Sequence, residues 1–392
     1  MASRKHVRIG MVGYRFMGKA HSHALRDLPF FFDTELVPVL QAIAGRDGQA
    51  VKAAAEKMGW ASYETDWRRL IERDDIDVID IVTPNHSHAE IAIAAAKAGK
   101  HVICEKPLAL TVAQSRQMLD AVNAAGVVHM ICHNYRFAPA VQLAKQLIAE
   151  GRLGRIFHFR ATFLQDWLIS PDVPLTWRLR KEIAGSGALG DLGAHIIDLA
   201  RFLVGEIREV VGMMETFVKE RPLGEIDLQL KGRAASGARG AVSVDDAVAF
   251  LARFANGALG IFEATRFSRG NRAGNRFEIN GEKGSLRWDL ENMNNLQLYL
   301  EADEPGLQGF RTINCTEGEH PYAGAYWPAG HIIGYEHTFI HLFVELMNGI
   351  ARGLSPSPNF ADGLQNQLVL AAVEESARTG KWVQLPASAS AD

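Results

Sequence analysis

Cysteine is scarce in this chain, and neither sign of charge is in excess. Of 392 residues only three are cysteines (Cys104, Cys132 and Cys315), an odd number at wide spacing that excludes a disulfide framework. The 42 basic residues nearly balance the 45 acidic ones, which leaves a net charge of −3. The chain therefore lacks the strongly basic surface that is typical of proteins that bind nucleic acid or an anionic membrane.

Long hydrophobic runs are also missing. No apolar stretch reaches the ~18 residues that would cross a bilayer, and the first residues carry no signal-peptide pattern. These absences predict a reduced, cytoplasmic, globular protein without a membrane or nucleic-acid partner. Glycine, in contrast, is plentiful, with 36 residues against 14 prolines, and its positions along the chain carry much of the functional signal.

The first third of the chain alternates short apolar runs with helical stretches. Strands are predicted at residues 7–12, 36–44, 78–82, 101–105 and 127–132, and helices between them at residues 19–28, 49–58, 88–98 and 111–126. Strands separated by helices of this length imply βαβ units and parallel pairing. This part of the sequence therefore predicts a doubly wound α/β sheet.

After about residue 150, extended runs rich in glycine and aromatic residues follow one another with few helices between them. This pattern predicts a large, open and mostly antiparallel sheet in an α+β domain. Helices are expected at residues 191–203, 337–350 and 362–379, and loops at 231–242 and 302–330. We expect two domains, 1–135 and 136–392, with the helix at 362–379 packing back on the first.

The first candidate for a binding site is the loop between the first strand and the first helix. A dinucleotide fingerprint reads Gly-x-Gly-x-x-Gly at this place, and its middle glycine lets the backbone approach a pyrophosphate. Gly13 and Gly18 fit the pattern, but Arg15 stands at the middle position. A guanidinium there would still face phosphate oxygens. The loop is either a cofactor loop, formed by Gly13, Arg15, Phe16, Met17 and Gly18, or an ordinary βα turn.

The end of the second strand distinguishes NAD from NADP in such folds. An acidic residue there holds the NAD ribose, whereas a small residue and an arginine suit a 2′-phosphate. Gly45 and Arg46 match the second pattern, but Asp47 follows directly and is also a suitable N-cap for the next helix. Both cofactors therefore remain open.

Two further strand ends carry polar residues where open α/β sheets bind ligands. Thr83, Pro84 and Asn85 follow one strand, and the Asn85 amide would hydrogen-bond a ribose or a carboxamide. Lys106 follows the next, between Glu105 and a proline that holds it extended. A lysine at a strand end is usually solvated, but its place among cofactor-like loops favours a role in the site.

A glycine-rich segment at residues 187–195 leads into the helix of the second domain. Asp191 and His195 are four residues apart and share one face of its first turn. A histidine accepts a hydroxyl proton near neutral pH, and a carboxylate orients it or the substrate. The alternatives are a capping aspartate and a metal site. Neither this pair nor His86 with His88 offers enough ligands, so we expect no metal.

Taken in order, these clusters resemble the Gfo/Idh/MocA oxidoreductases over essentially the whole chain. The resemblance is carried by the Gly13 loop and by the segments Glu105-Lys106-Pro107, Asp191-Leu192-Gly193-Ala194-His195 and Phe360-Ala361-Asp362-Gly363. It implies a Rossmann domain followed by a domain whose open sheet covers the substrate and builds homodimers or homotetramers.

The resemblance also implies roles for individual residues. Lys106 and His195 would be the catalytic pair, with Asp191 binding or orienting. The nicotinamide side would be lined by Pro84, Asn85, His88, Glu105 and Tyr135, and Thr83 and Lys106 would also bind the cofactor. Weaker candidates for substrate binding, beside Lys106, Tyr135, Asp191 and His195, are Arg136, Gln165, Asp166, Trp167, Trp177 and Arg178.

The activity implied is the NAD- or NADP-dependent oxidation of a secondary ring hydroxyl of a sugar, anhydrosugar or cyclitol. His195 would remove the hydroxyl proton while Lys106 stabilises the oxygen. Two alternatives stay open: an NAD-dependent glycosidase of the same fold, and a non-catalytic regulator that senses a dinucleotide or a sugar.

Overall fold

The computed structural model describes residues 5–226 and 232–386, the backbone alone for 225, 226 and 232–236. They form two compact units, the first comprising Met1–Asn134 with Gly334–Leu364 and the second Tyr135–Ile333 with Gln365–Asp392. The sequence expectation put the boundary one residue later and assigned residues 334–364 to the second domain. No helix in the described ranges is long and apolar enough to cross a membrane.

The elements follow one another along the chain in two groups. The first comprises β1 (Lys5–Val12), α1 (Phe16–Phe31), β2 (Leu36–Ala44), α2 (Gly48–Met58), β3 (Ser62–Glu64), α3 (Trp67–Glu72), β4 (Val78–Ile81), α4 (His88–Lys97), β5 (His101–Cys104), α5 (Val112–Ala125) and β6 (His129–Ile131). The second comprises α6 (Pro139–Ala149), β7 (Ile156–Leu164), α7 (Lys181–Ala184), α8 (Ala194–Leu203), β8 (Ile207–Glu215), β9 (Glu220–Ile226), β10 (Gly232–Ala241), β11 (Ala247–Phe254), β12 (Leu259–Thr265), β13 (Gly274–Gly281), β14 (Gly284–Asp289), β15 (Asn295–Leu300), β16 (Arg311–Asn314), α9 (His337–Arg352), α10 (Phe360–Thr379) and β17 (Val383–Gln384).

The sheet of the first unit confirms the doubly wound prediction. Within the described residues it has six strands, in the order β3-β2-β1-β4-β5-β6, and every pair is parallel. The chain order reverses between β1 and β4, so the carboxyl ends of these strands flank the crevice where such sheets bind ligands. Buried aliphatic side chains such as Ile79, Ile81 and Ile91 form the core between the sheet and its helices.

Helix α9 belongs to the first unit because it packs on α1, and the beginning of α10 belongs to the same unit. Phe360 is fully buried in the same core as the sheet. A Cβ at Gly363 would lie 2.9 Å from atoms of both Ile131 and Leu108, so this turn of α10 sits directly against the first unit. From Gln365 onward the helix belongs to the second unit.

The second unit is built on a large mixed sheet. Its order among the described residues is β16-β15-β14-β13-β7-β12-β11-β8-β17. All neighbours are antiparallel except β7 and β12, which run parallel. Alternation along β11 buries Phe250 and Ala252 and exposes Leu251, so one face of the sheet forms the core.

Three local predictions are wrong, and one of them is the loop expected at 302–330, which contains β16 (Arg311–Asn314). The segment at 231–242, expected to be a loop, forms β10, which pairs with β9 in a separate hairpin; Lys231 lies outside the described residues. The helix expected to begin at Asp191 begins at Ala194, after a π-helical turn over Leu189–Gly193. The sequence did not predict β10, because its glycines and small side chains lack the alternation of apolar and polar residues by which a strand is recognised.

Candidate active site

The loop between β1 and α1 fits a dinucleotide at two positions. Gly13 has a φ of 111°, which favours glycine, and a Cβ there would lie 2.9 Å from the carbonyl oxygen of Val82. A Cβ at Gly18 would lie 2.8 Å from the carbonyl oxygen of Gly13. Both positions therefore need glycine for close packing of the turn, the strand and the helix, as the first and third fingerprint positions do.

Arg15 occupies the N-cap position of α1 with a φ of −84°, which any residue adopts. The departure from glycine therefore does not force an arginine into a positive φ. No side chain caps the described start of this helix, and its first turn holds no acidic residue. The N–H groups and the positive end of the helix dipole are thus available to an anion such as a pyrophosphate.

At the end of β2, the structure shows what Gly45 and Asp47 contact. A Cβ on Gly45 would lie 2.2 Å from the ring of Tyr14, so the glycine makes room for that ring. Asp47 caps α2, since its carboxylate accepts from the backbone N–H groups of Gln49 and Ala50. Arg46 is exposed.

The loops after β4 and β5 are tied together by a buried histidine. Nδ1 of His88 lies 3.0 Å from the carbonyl oxygen of Pro107, and Nε2 lies 2.9 Å from that of Thr83. Burial lowers the pKa of His88. The sequence suggested that His88 lines the nicotinamide, but both ring nitrogens engage backbone of the two loops. Half-buried Asn85 precedes it in a short helical turn.

Lys106 is the second residue after β5 and is half-buried. Its backbone N–H donates to Oε2 of Glu105, at 3.1 Å, and the Lys106–Pro107 peptide bond is cis. Parallel strands end at the same edge of a sheet, so Lys106 lies on the edge that carries Gly13 and Pro84. The structure therefore brings together, in the first unit, most of the residues predicted to hold the cofactor.

In the second unit, His195 lies in the first turn of α8 among aromatic side chains. Its ring centroid is 4.6 Å from that of Tyr135 and 5.7 Å from that of Phe163. The side chain is buried, with 8% of the residue exposed. Packing on two rings restricts the orientation of the imidazole, as a proton-transfer residue requires.

Asp191 precedes His195 in the π-helical turn and faces two guanidinium groups. Nη2 of Arg266 donates to Oδ2 of Asp191 at 2.8 Å and to the carbonyl oxygen of Gly187 at 3.1 Å. Arg178 also faces this carboxylate; burial lowers the pKa of Arg178, while Asp191 acts in the opposite direction. The Asp191 carboxylate is therefore held in place by charge.

The glycine-rich turn itself is anchored by Asp245. This buried carboxylate accepts from the backbone N–H groups of Gly187 and Leu189, at 2.7 and 2.8 Å. Burial raises the pKa of Asp245, and these two hydrogen bonds oppose the rise. The anchor fixes the start of the turn that carries Asp191.

The two tryptophan candidates, Trp167 and Trp177, each lie beside an arginine. Arg266 lies 5.7 Å from the ring centroid of Trp167, whose indole N–H donates to Gln165 at 3.0 Å. The Nε and Nη1 atoms of Arg266 are buried and have no hydrogen-bond partner among the described residues. Arg178 stacks over the ring of Trp177, 4.5 Å from its centroid. Indole faces and amide groups of this kind suit a ring-shaped polar ligand.

Two predicted substrate residues, Arg136 and Asp166, have charged partners within the protein. Arg136 forms a bidentate pair with Asp198, at 2.7 Å for both contacts, in the core of the second unit. Asp166 accepts from the backbone N–H of Gly270 and from Nη1 of Arg272. These partners fix the two side chains in place, and their part in substrate binding stays a prediction.

Sequence reasoning missed several polar residues of these regions: His21, Asp80, Asp245 and Arg266. Each lies inside an otherwise apolar or irregular stretch and owes its role to a partner 58 or more residues away. Only the charge of Asp80 within the apolar β4 gave a local signal, since an unpaired charge is rarely buried.

The parallel sheet, its glycine loop and the sheet domain with an Asp–His helix end define a two-domain, dinucleotide-dependent oxidoreductase. Family models match residues 7–133 (oxidoreductase family, NAD-binding Rossmann fold) and residues 141–287 (GFO/IDH/MocA C-terminal domain). The chain belongs to the Gfo/Idh/MocA oxidoreductase family, and its first unit contains the NAD-binding Rossmann domain of that family.

Relatives and solved structures agree with this assignment. Levoglucosan dehydrogenase of Pseudarthrobacter phenanthrenivorans is 47% identical over 97% of this chain and 99% of that protein. An oxidoreductase domain protein from Kribbella flavida has a TM-score of 0.93 at 54% identity, covering 97% of this chain and 100% of that one. Levoglucosan dehydrogenase in complex with NADH and levoglucosan has a TM-score of 0.92 at 46% identity, with the same coverage of both chains.

Proposed function

We propose that the protein oxidises a secondary ring hydroxyl of an anhydrosugar, levoglucosan or a close analogue, to a ketone with NAD. The observation that carries the proposal is the second unit's helix end, where Asp191 is held by Arg266 and His195 packs on Tyr135. The whole-length likeness to levoglucosan dehydrogenase supports the choice of substrate class.

Each proposed role follows from the chemistry of the side chain. His195 takes the proton of the reacting hydroxyl, and Lys106 donates a hydrogen bond to the same oxygen and stabilises its developing negative charge. Asp191, with its carboxylate fixed by Arg266, orients the substrate or the imidazole. NAD, when bound, supplies the hydride acceptor.

The remaining polar and aromatic residues are proposed as binding groups. Gln165, Trp167, Trp177 and Arg178 provide faces and hydrogen bonds for a sugar ring, and Tyr135 bounds the site beside His195. The cofactor contacts are proposed for the loop of Gly13, Arg15, Phe16, Met17 and Gly18 and for Thr83, Pro84, Asn85 and Glu105.

NAD is proposed over NADP because packing accounts for the glycine that suited NADP in the sequence. Gly45 accommodates the Tyr14 ring, and the Arg46 side chain is exposed to solvent. Steady-state rates with NAD and NADP against levoglucosan, myo-inositol, scyllo-inositol, glucose and galactose test both the cofactor and the substrate. Higher kcat/KM with NADP would overturn the cofactor proposal.

The roles of Lys106 and His195 are tested by alanine substitution. For Lys106→Ala and for His195→Ala we expect a loss of kcat of about 100-fold or more, because general acid–base groups contribute about 10²–10⁴-fold. NADH affinity, measured by fluorescence titration, is expected to stay within about twofold of wild type. Lys106 belongs to the first unit and His195 to the second. Each substitution therefore tests the contribution of one unit.

A wild-type rate for either variant would contradict the assignment. The readout is NADH formed per sugar consumed, followed at 340 nm. Stoichiometric NADH is expected. Glycoside cleavage without net NADH would show a glycosidase, and tight NAD binding without turnover of any sugar or cyclitol would show a regulator.

We also propose that the protein is a cytoplasmic homo-oligomer, a dimer or a tetramer. The support is an apolar patch on the outer face of the second unit's sheet, formed by Met213, Leu251, Leu259 and Ile261, all of which are exposed. The three cysteines of the chain, all within the described ranges, are buried and form no disulfide, which suits a reducing compartment.

A further inference from the structure

A histidine outside the proposed catalytic set lies between two carboxylates at the core of the first unit. His21, on α1, is completely buried. Its Nδ1 lies 3.0 and 3.1 Å from the two carboxylate oxygens of Asp80, on β4. Its Nε2 lies 3.1 Å from Oε1 of Glu105, at the end of β5. Burial of three ionisable groups is costly unless they form a closed network.

The hydrogen-bond partners of His21 indicate its charge. A neutral imidazole carries one N–H, whereas both nitrogens of His21 face carboxyl oxygens. With Asp80 and Glu105 ionised, both nitrogens donate and the ring is an imidazolium; burial raises the pKa of Asp80, and the contact with His21 opposes that rise. The pKa of His21 agrees: burial lowers it, but Asp80, with Cys132, outweighs that effect and holds it well above its ordinary value.

The surroundings of the ring keep water and other charges away. Phe339 and Phe343, on α9, pack on it with ring centroids 5.2 and 5.3 Å away. The ionisable groups that face the ring are Asp80 from β4, Glu105 from the end of β5 and Cys132 from the end of β6. In a low-dielectric enclosure, charge-assisted hydrogen bonds of this kind are strong and hold their geometry.

The second oxygen of Glu105 continues the network to the proposed catalytic lysine. Oε2 accepts the backbone N–H of Lys106 at 3.1 Å, while Oε1 is held by His21. A carboxylate fixed at both oxygens cannot rotate, so the backbone of Lys106 is fixed where β5 ends. Hydrogen bonds thus link Asp80 to His21, His21 to Glu105, and Glu105 to the backbone of Lys106. All four residues belong to the first unit.

We propose that His21 is a positioning residue, which with Asp80 fixes the Glu105 carboxylate and through it the backbone that presents Lys106. The inference rests on the proposed function, since it assumes that Lys106 acts on the substrate oxygen. It extends that function by explaining how a flexible lysine is held in one place, which catalysis by a pre-oriented charge requires.

A buried metal site would use the same side chains. Ligand atoms of His21, Glu105 and Cys132 lie within 4.8 Å of one another. Both nitrogens of His21 already have carboxylate partners. A metal ligand would need one of these nitrogens without a proton, so the two contacts of the ring favour the hydrogen-bonded network.

A double-mutant cycle tests the proposal on the full-length protein, with levoglucosan and NAD as substrates. We expect His21→Gln to lower kcat by about 10- to 100-fold, the range found for outer-shell partners of functional groups. NADH affinity is expected to change less than about twofold. In the Lys106→Ala background, His21→Gln is expected to lower the single-turnover rate by no more than about twofold, because its effect passes through Lys106.

Independent effects of the two substitutions, multiplying in the double variant, would overturn the positioning role while leaving Lys106 catalytic. A wild-type rate for Lys106→Ala would instead overturn the proposed function. One equivalent of zinc in the purified protein would also overturn the hydrogen-bonded network.

Asp80→Asn keeps an oxygen beside His21 and serves where His21→Gln does not fold; the same coupling to Lys106→Ala is expected.

His129→Gln is the matched control. His129 is another buried histidine of the first unit, and its Nδ1 accepts from the backbone N–H of Phe360 at 3.1 Å. At pH 8 this variant is expected to keep the wild-type kcat. A loss equal to that of His21→Gln would show that any disturbance of this core lowers the rate, and would overturn the specific role of His21.

Discussion

Arg15 shows how a single residue can depart from a nucleotide-binding pattern without changing the loop. The sequence predicted the first and third glycines, and the structure needs them because a Cβ would come within 3 Å of backbone oxygens. The middle position has a negative φ, so a left-handed backbone does not require glycine there. Gly45 is the opposite case: the sequence offered phosphate binding, whereas the Tyr14 ring accounts for the glycine, and no local pattern contained that contact.

His129 gives a prediction about acid stability at this scale. Burial lowers its pKa to about 4, and its Nδ1 must stay unprotonated to accept from Phe360. A histidine in the unfolded chain has a pKa of ~6.5, so between about pH 6.5 and 4 the unfolded state takes up a proton that the folded state does not. The free energy of unfolding should therefore fall as the pH falls through this window.

The contribution of His129 to this loss is on the order of 3 kcal/mol. His129→Gln keeps an oxygen that can accept from Phe360 but does not titrate. The difference in urea midpoint between the variant and wild type, measured at pH 7.5, 5.5 and 4.5, is expected to move in favour of the variant as the pH falls. A difference independent of pH would contradict the assignment.

At the scale of elements, the parallel sheet was predictable because its strands are short apolar runs separated by helices that end at glycine. Gly59 and Gly126 end their helices in the left-handed conformation, and the Thr111 hydroxyl accepts from the backbone N–H of Gln114 at the start of α5. The π-helical turn at Leu189–Gly193 was not predictable from helical spacing. It is imposed by Asp245, which is 56 and 58 residues away from the N–H groups it binds.

This turn leads to a prediction for Gly187. A Cβ there would lie 1.8 Å from the carbonyl oxygen of Asp245. Because backbone cannot move as a flexible side chain does, Gly187→Ala is expected to destabilise the second unit by about 3 kcal/mol or more. The shift of the turn should also displace Asp191 and lower kcat, while NADH affinity stays within about twofold.

The control for this prediction is Gly309→Ala, because a Cβ at Gly309 meets nothing within 4 Å and its φ is not positive. It should match wild type in thermal unfolding and in kcat. A wild-type melting temperature for Gly187→Ala would show that the contact between this turn and Asp245 is looser than the structure has it.

For the whole molecule, two domains could be predicted because alternating strands and helices give way to consecutive extended runs after about residue 150. The assignment of residues 334–364 to the first unit could not be predicted. Helix α9 joins the first unit because its buried face, with Phe339 and Phe343, packs against α1. The two helices are separated by about 300 residues, and a hydrophobic face does not identify the surface that will cover it. The same limit applies to β7 and β12, whose parallel pairing no local pattern indicated.

The outer face of the second unit's sheet gives a prediction about assembly. Leu251 pairs with Ile261 across β11 and β12, and their side chains are 48% and 46% exposed. Met213, on β8, is 72% exposed. Covering such a patch with the same patch of a second copy removes apolar area from water on both, at about 25 cal/mol per Å². The wild type is therefore expected to sediment as a dimer or tetramer of 43.1 kDa chains.

Leu251→Glu with Ile261→Glu places four like charges in a two-fold interface and is expected to give monomers, as judged by sedimentation velocity at micromolar concentration. Leu307→Glu is the matched control, since Leu307 is 75% exposed and lies outside the strands of this sheet; it should keep the wild-type sedimentation coefficient. A monomeric wild type would contradict the proposed assembly. An oligomer unchanged by the double substitution would place the interface elsewhere, because two buried glutamates at its centre could not be accommodated without a large loss of affinity.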